Sequence, residues 1–272
     1  MAAALLAWPG RCRSAQGEAL DFAVLPLFSG RTLLRHFEGL RAFLQERLNR
    51  PAYLVTAPDF RAFTRAVQNQ AYPFVLTAPH LARLAEVDAG YRALAAGEPG
   101  IAGVFLVDRA SEVDSLADLR GRSLATPDSL AVVTMLGNET LTAAGLTPGR
   151  DIVLNPQPSH NAAALTVLRG ENAAALVWDL TLSTMEHDLR DRLKVIARTS
   201  VVPAGLVFLT RGDMPASQSD AIRDALFRFK DVPAGQEFLT RTGFKGVVPI
   251  EPGQLAYLDR YLAPARRLLA AR

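Results

Sequence analysis

Apolar and polar positions alternate along this chain in blocks of two lengths. Leu20-Asp21-Phe22-Ala23-Val24-Leu25-Pro26-Leu27 is a strand-length apolar run, closed by its proline. From Arg31 to Asn49 the apolar residues Leu33, Leu34, Phe37, Leu40, Phe43, Leu44 and Leu48 recur at helical spacing. Ala52 to Thr56 reads as a second strand, and Asp59 to Gln68 as a helix with Asp59 placed to cap it. Phe74 to Thr77 and Pro79 to Ala89 repeat the pair as a third strand and third helix. Strand alternating with helix at this pace predicts a parallel, doubly wound sheet.

The pattern changes after Gly97-Glu98-Pro99-Gly100, which reads as a hinge into the long β run Ile101 to Val107. A short helix and turn (Leu116 to Arg122) precedes a strand at Ser123 to Thr126 and a helix from Ser129 to Ala144, stopped by Gly145. Ile152 to Leu154, Asn161 to Arg169 and Ala173 to Trp178 continue as strand, helix and strand. Leu193 to Ala197 leads to Val201-Val202-Pro203, where a second crossing is expected, and Leu206 to Thr210 returns as a strand. Helices are expected over Ser217 to Lys230, Ala234 to Thr240 and Gly253 to Ala271. Two crossings between α/β halves describe a two-lobed Venus flytrap with mixed sheets flanked by helices. Residues 20–99 with 204–272 would form lobe 1, and 100–203 lobe 2. A ligand would sit between them, at strand C-termini and helix N-termini.

Composition narrows the function. Of 272 residues, 30 are Lys or Arg and 27 Asp or Glu. The basic residues are scattered singly, not gathered into the runs or faces that bind nucleic acid. The one cysteine, Cys12, lies in a leader (1–19) whose apolar stretch Ala2 to Trp8 is too short to span a bilayer. Small residues after Pro9-Gly10 fit a signal-peptide cleavage site, although the positively charged start is missing; export from a bacterial cytoplasm is the expectation. No other segment could cross a membrane. A mature chain without Cys12 has no disulfide, thiolate metal site or cysteine nucleophile. There is no Gly-x-Ser-x-Gly elbow, His-Glu-x-x-His pair or phosphate-binding Walker loop. Ser159 and His160 are sequence neighbours whose side chains diverge, a poor nucleophile–base pair. Enzymatic activity, a metal and a cofactor are therefore not expected. Glu186-His187-Asp188 reads as a charged helix face, and His36 as a surface residue.

Three segments carry a resemblance. Leu116 to Ala125 (Leu-Ala-Asp-Leu-Arg-Gly-Arg-Ser-Leu-Ala) looks like a passage common to many periplasmic binding proteins. Ser159-His160-Asn161-Ala162-Ala163-Ala164-Leu165, with Val167-Leu168-Arg169-Gly170-Glu171, is similar to a passage of the phosphate/phosphite/phosphonate-binding family. Val195 to Pro203 resembles that family's return crossing, and Asp59-Phe60 and Ala78-Pro79 are weaker matches. The resemblance runs from about Asp21 to the C-terminus. It implies a type 2 periplasmic-binding-protein fold and a solute-binding component of an ABC importer, with a permease as partner. The alternative function is a non-transport sensor or docking protein with a membrane-bound partner.

In that family the second lobe binds an oxyanion at a helix N-terminus through a hydroxyl-rich Asp-Pro-x-Ser-Thr-Ser-Gly turn, where free amides and the helix dipole favour negative charge. Here the turn reads Thr126-Pro127-Asp128-Ser129-Leu130-Ala131-Val132, without two of the hydroxyls and the glycine. Phe60 stands where the family has a ligand-facing tyrosine. The pocket therefore reads as more apolar than the family's. His160 matches the family's ligand-facing histidine; helix capping or a core role is the other reading of it. Ser159, Asp128, Ser129 and Asp179 are the further lobe 2 candidates, and Phe28, Ser29, Thr77 and His80 those of lobe 1. Asp128, Ser159 and Asp179 are equally placed as helix caps. Trp178 is placed either to wall the pocket or to fill the core.

Overall fold

A computed structural model of the chain describes residues 19–271; the expected leader run and Cys12 lie outside the described residues. The chain opens with β1 (Leu20–Val24), α1 (Gly30–Leu48), β2 (Ala52–Val55), α2 (Phe60–Gln68), β3 (Phe74–Thr77) and α3 (Pro79–Ala89). Then come β4 (Arg92–Glu98) and β5 (Ile101–Asp108), a 3-10 turn at Ala117–Leu119, β6 (Ser123–Thr126), α4 (Val132–Ala143), β7 (Val153–Pro156), α5 (His160–Leu168) and β8 (Ala174–Trp178). Short helices α6 (Asp179–Thr184) and α7 (His187–Asp191) lead to β9 (Leu193–Val202), β10 (Val207–Thr210), α8 (Ala216–Phe229), α9 (Pro233–Thr242) and β11 (Gly246–Pro249). A 3-10 helix, Gln254–Tyr261, runs into α10 (Leu262–Ala270).

The strands form two sheets, in the orders β11-β4-β10-β3-β1-β2 and β7-β6-β8-β5-β9. β1, β2 and β3 are parallel, as are β6, β7 and β8, while β4, β10 and β11 and the β5 and β9 pairings are antiparallel. Strands covered on both faces read as unbroken apolar runs because neither face meets water. Accordingly Phe74 to Thr77 and Ile101 to Val107 are buried throughout. Register places Phe22 beside Phe74, and those rings stack at 4.7 Å, with Phe208 at 6.0 Å from Phe74.

Two strands, β4 and β11, go beyond what the sequence pattern predicts. β4 is Arg-Ala-Leu-Ala-Ala-Gly-Glu, a composition with little strand propensity, and it is held by β10 on one side and β11 on the other. Antiparallel β4 and β10 make the first sheet mixed, where the first half of the sequence alone predicts a parallel one. α4 begins at Val132, not at Ser129, because the Asp128 carboxylate accepts the Leu130 amide at 2.7 Å and closes a turn first. The expected C-terminal helix is 3-10 over its first eight residues.

The chain passes between sheets at Pro99-Gly100 and again at Pro203 to Leu206. These crossings lie against each other: a Cβ on Gly100 would meet the Val202 carbonyl oxygen at 2.3 Å, and one on Gly205 the Gly97 oxygen at 2.4 Å. Only glycine permits so close a backbone approach. The lobes also touch elsewhere. The buried His80 on α3 donates from Nε2 to the Leu130 carbonyl at 2.8 Å. Trp178 lies 6.1 Å from Phe244, and the Tyr261 hydroxyl donates to Glu139 at 3.2 Å.

Candidate functional site

The site grows from two helix starts facing each other across the lobes. Ser29 caps α1: its Oγ accepts the Thr32 amide at 3.4 Å and its hydroxyl donates to Thr32 Oγ1 at 2.9 Å. Ser159 caps α5 by accepting the Ala162 amide at 3.1 Å. The first amides of any helix have no partner inside it and carry its positive dipole end. Both starts open onto one cavity of about 210 Å³. Leu27, Phe28, Ser29 and Thr32 line it from lobe 1; Ser159, His160, Asn161, Trp178 and Thr181 line it from lobe 2. None of the nine is an acid, lysine or arginine.

His160 fixes the chemistry. Its Nδ1 accepts the Trp178 amide at 3.0 Å, tying the end of β8 to the start of α5. Burial holds the imidazole well below its ordinary value, to about 4, so it is neutral near neutral pH. A neutral ring whose Nδ1 accepts must carry its proton on Nε2. His160 thus braces lobe 2 through one nitrogen, as its core reading expects, and carries an N–H on the other. Trp178, buried, also lines the cavity, and its indole N–H has no partner among the described residues.

A smaller apolar chamber adjoins the first. Leu27, His160 and Trp178 border both, and Phe60, Ala131, Val132, Val133 and Leu206 help to wall the inner one. The start of α4, with Ala131 as its cap residue and no side-chain cap, therefore meets the cleft with methyl groups.

The structure brings Phe28, Ser29, Ser159 and His160 together around the cavity. Thr77 and His80 are buried at the end of β3 and the start of α3, with Thr77 Oγ1 and His80 Nδ1 unpartnered. His80 is spent on the lobe-to-lobe bond, and its burial also lowers its pKa to about 4. Asp128 is engaged in its turn. Ser129 is exposed and borders a separate groove with Glu139, Arg260 and Arg267. Asp179 starts α6 beside the first crossing. Desolvation raises its pKa, against the nearby Leu180 and Ala102 amides and Arg198, and its Oδ1 has no partner. Thr32, Asn161 and Thr181 line the cavity without a motif of their own; Thr32 follows the Ser29 cap by three residues and Asn161 is the second residue of α5, positions that share the cap's exposure to the cleft. His36 is half-buried and edge-on to Phe28 at 4.9 Å, not on the surface.

Among the described residues no helix is long and apolar enough to cross a membrane, and no group of three or more His, Cys, Asp or Glu could hold a metal ion.

Residues 22–255 match the family model described as "ABC transporter, phosphonate, periplasmic substrate-binding protein". Among solved structures, PhnD1 from Prochlorococcus marinus in complex with methylphosphonate is similar at a TM-score of 0.82 and 14% identity, over 92% of this chain and 98% of that one. A binding-protein component of an ABC phosphonate transporter from Pseudomonas aeruginosa gives 0.78 and 16%, over 93% and 89%. The alkanesulfonate-binding protein SsuA from Xanthomonas axonopodis pv. citri, bound to MOPS, gives 0.64 and 18%, over 95% and 96%. At these identities the structural likeness speaks to the fold: that of type 2 periplasmic binding proteins.

Proposed function

Because the chain belongs to the periplasmic substrate-binding protein family of phosphonate ABC transporters, we propose that it captures a small oxyanion-bearing solute between its lobes and delivers it, in the closed form, to a membrane permease. One observation carries the ligand class: the starts of α1 and α5 converge on an uncharged cavity where the His160 and Trp178 N–H groups need acceptors. Free amides, a helix dipole and neutral donors stabilise an anion without a counter-charge. The adjoining apolar chamber, about 20 Å³, has room for no more than a methyl-sized group of the same ligand. Residues 20–99 with 204–272 act as one body and 100–203 as the other, turning about the paired crossings. Solute that binds only the closed arrangement shifts the population towards it.

A second reading, a sensor or docking protein for a membrane partner, is favoured by the start of α4. There Leu130 and Ala131 put buried apolar side chains where the resembled family's turn offers hydroxyls, and Leu130 is engaged with His80. Titration calorimetry of the mature chain against alkyl oxyanions separates the possibilities. Binding of at least one, weakened tenfold or more in His160→Ala, is expected. Absence of heat with every oxyanion, together with binding of a neutral or cationic solute, would overturn the ligand class. Saturable binding with no stimulation of a reconstituted permease would favour the sensor.

A further inference from the structure

A second groove runs between the lobes outside the cleft, and Ser129, a site candidate from the sequence, opens onto it. Met135 and Glu139, one turn apart on α4, belong to its lobe 2 wall. Arg260, Tyr261, Arg267 and Leu268 face them from lobe 1. The groove holds about 450 Å³, against about 210 Å³ for the cavity at the starts of α1 and α5. Val132 and Val133 of α4 wall the inner chamber of the cleft, so both sites lie along one helix without sharing a lining residue.

The charges of this groove do not cancel. Glu139 is the one carboxylate of its lining. Arg260 stands 3.6 Å from that carboxylate and lies over the Tyr261 ring at 4.8 Å, while the Tyr261 hydroxyl donates to Glu139 at 3.2 Å. Glu139 and Arg260 are both about half exposed, so water screens their attraction and a second carboxylate can compete for the guanidinium. Arg267 is exposed and makes no ion pair or side-chain hydrogen bond among the described residues. Neighbouring arginines are matched, Arg266 with Asp88 and Arg83 with Asp259. One guanidinium is therefore left over beside an apolar wall of Met135, Pro264 and Leu268. Arginine takes a carboxylate through two parallel hydrogen bonds, and covering the apolar wall removes further area from water. A two-carbon solute would leave most of the volume to water, whereas a ring or longer chain fills it. We propose that this groove is a second binding site, for an organic carboxylate with an apolar body, held at Arg267 and Arg260. With one wall from each lobe, such a ligand bridges the two.

Titration calorimetry of the full chain with 4-phenylbutyrate at pH 7.5 tests the site. Saturable binding is expected, weakened tenfold or more in Arg267→Glu, a change at an exposed side chain that leaves the fold intact. Glu139→Gln should tighten binding at least threefold, because Arg260 loses its competing carboxylate and the groove its negative charge. A variant that merely damaged the structure would not gain affinity. His160→Ala, in the cleft, should leave phenylbutyrate binding unchanged. Absence of binding, or indifference to Arg267→Glu, would overturn the site. Loss of binding in His160→Ala with Arg267→Glu unaffected would place the carboxylate in the cleft and overturn it equally. Weaker or unaltered binding in Glu139→Gln would contradict the charge argument on which the proposal stands.

Discussion

At His160 the two ring nitrogens face different demands, one set by the fold and one by the cleft. Nδ1 satisfies a buried backbone amide at the end of β8, and the ring lines the cavity. Replacing the ring by alanine orphans the Trp178 amide, which costs about 1–3 kcal/mol of stability besides the proposed loss of solute affinity. Chemical denaturation should record that loss. His80 and His160 also make stability depend on pH. Burial depresses both to about 4, whereas the unfolded chain titrates near its ordinary value. Between those values the unfolded state holds more protons, so stability is complete above about pH 6.5 and falls as pH drops towards 4. Each histidine contributes on the order of 3 kcal/mol across that window. Melting temperature should be level above pH 7 and decline below 6.5, less steeply in His80→Gln; a flat profile from pH 7.5 to 4.5 would show that these rings are not buried neutral. At this scale His160, Ser159, Ser29 and Phe28 were legible because each sits at a helix start that the apolar pattern locates. Thr32 and Thr181 were not, since one lies within a helix already assigned to the fold and the other follows β8 in a segment with no periodic pattern.

Elements defined by their own periodicity were legible in the sequence: β3 and α3 fall on the residues where the pattern puts them, and the Asp59 cap holds α2 by accepting the Ala62 amide at 2.7 Å. Elements defined by their neighbours were not. β4 is a strand because β10 and β11 hydrogen-bond to it, and β11 is four residues whose only guide is that pairing. Asp59→Ala should therefore cost about 1 kcal/mol with solute affinity unchanged, which denaturation and calorimetry together can check. Gly137 makes the complementary case within lobe 2. A Cβ there would lie 2.1 Å from Leu176 Cδ2, so α4 sits on β8 at glycine's distance. Gly137→Ala should destabilise by about 1–3 kcal/mol through overcrowding, seen as a lower denaturation midpoint with an unchanged slope.

For the whole molecule, the two lobes are joined by contacts between residues far apart in the chain, and no local pattern announces them. His80 meets Leu130, Trp178 meets Phe244, and Tyr261 meets Glu139 beside Arg260. The two-lobed plan could be read from the order of strands and helices, because crossing segments interrupt it; the degree of closure could not. Removing two of these contacts in His80→Ala/Glu139→Ala should raise the solute-free radius of gyration in small-angle scattering, and saturating solute should restore the compact value. The central claim, that an oxyanion lies between the starts of α1 and α5, is tested most directly by a crystal structure with 2-bromoethanesulfonate, located by bromine anomalous scattering. The account predicts sulfonate oxygens within hydrogen-bond reach of His160 Nε2 and the first turns of both helices, with bromine towards Leu27 and Val133. Ligand at the 127–131 turn, or in the groove between Glu139 and Arg267, would contradict it.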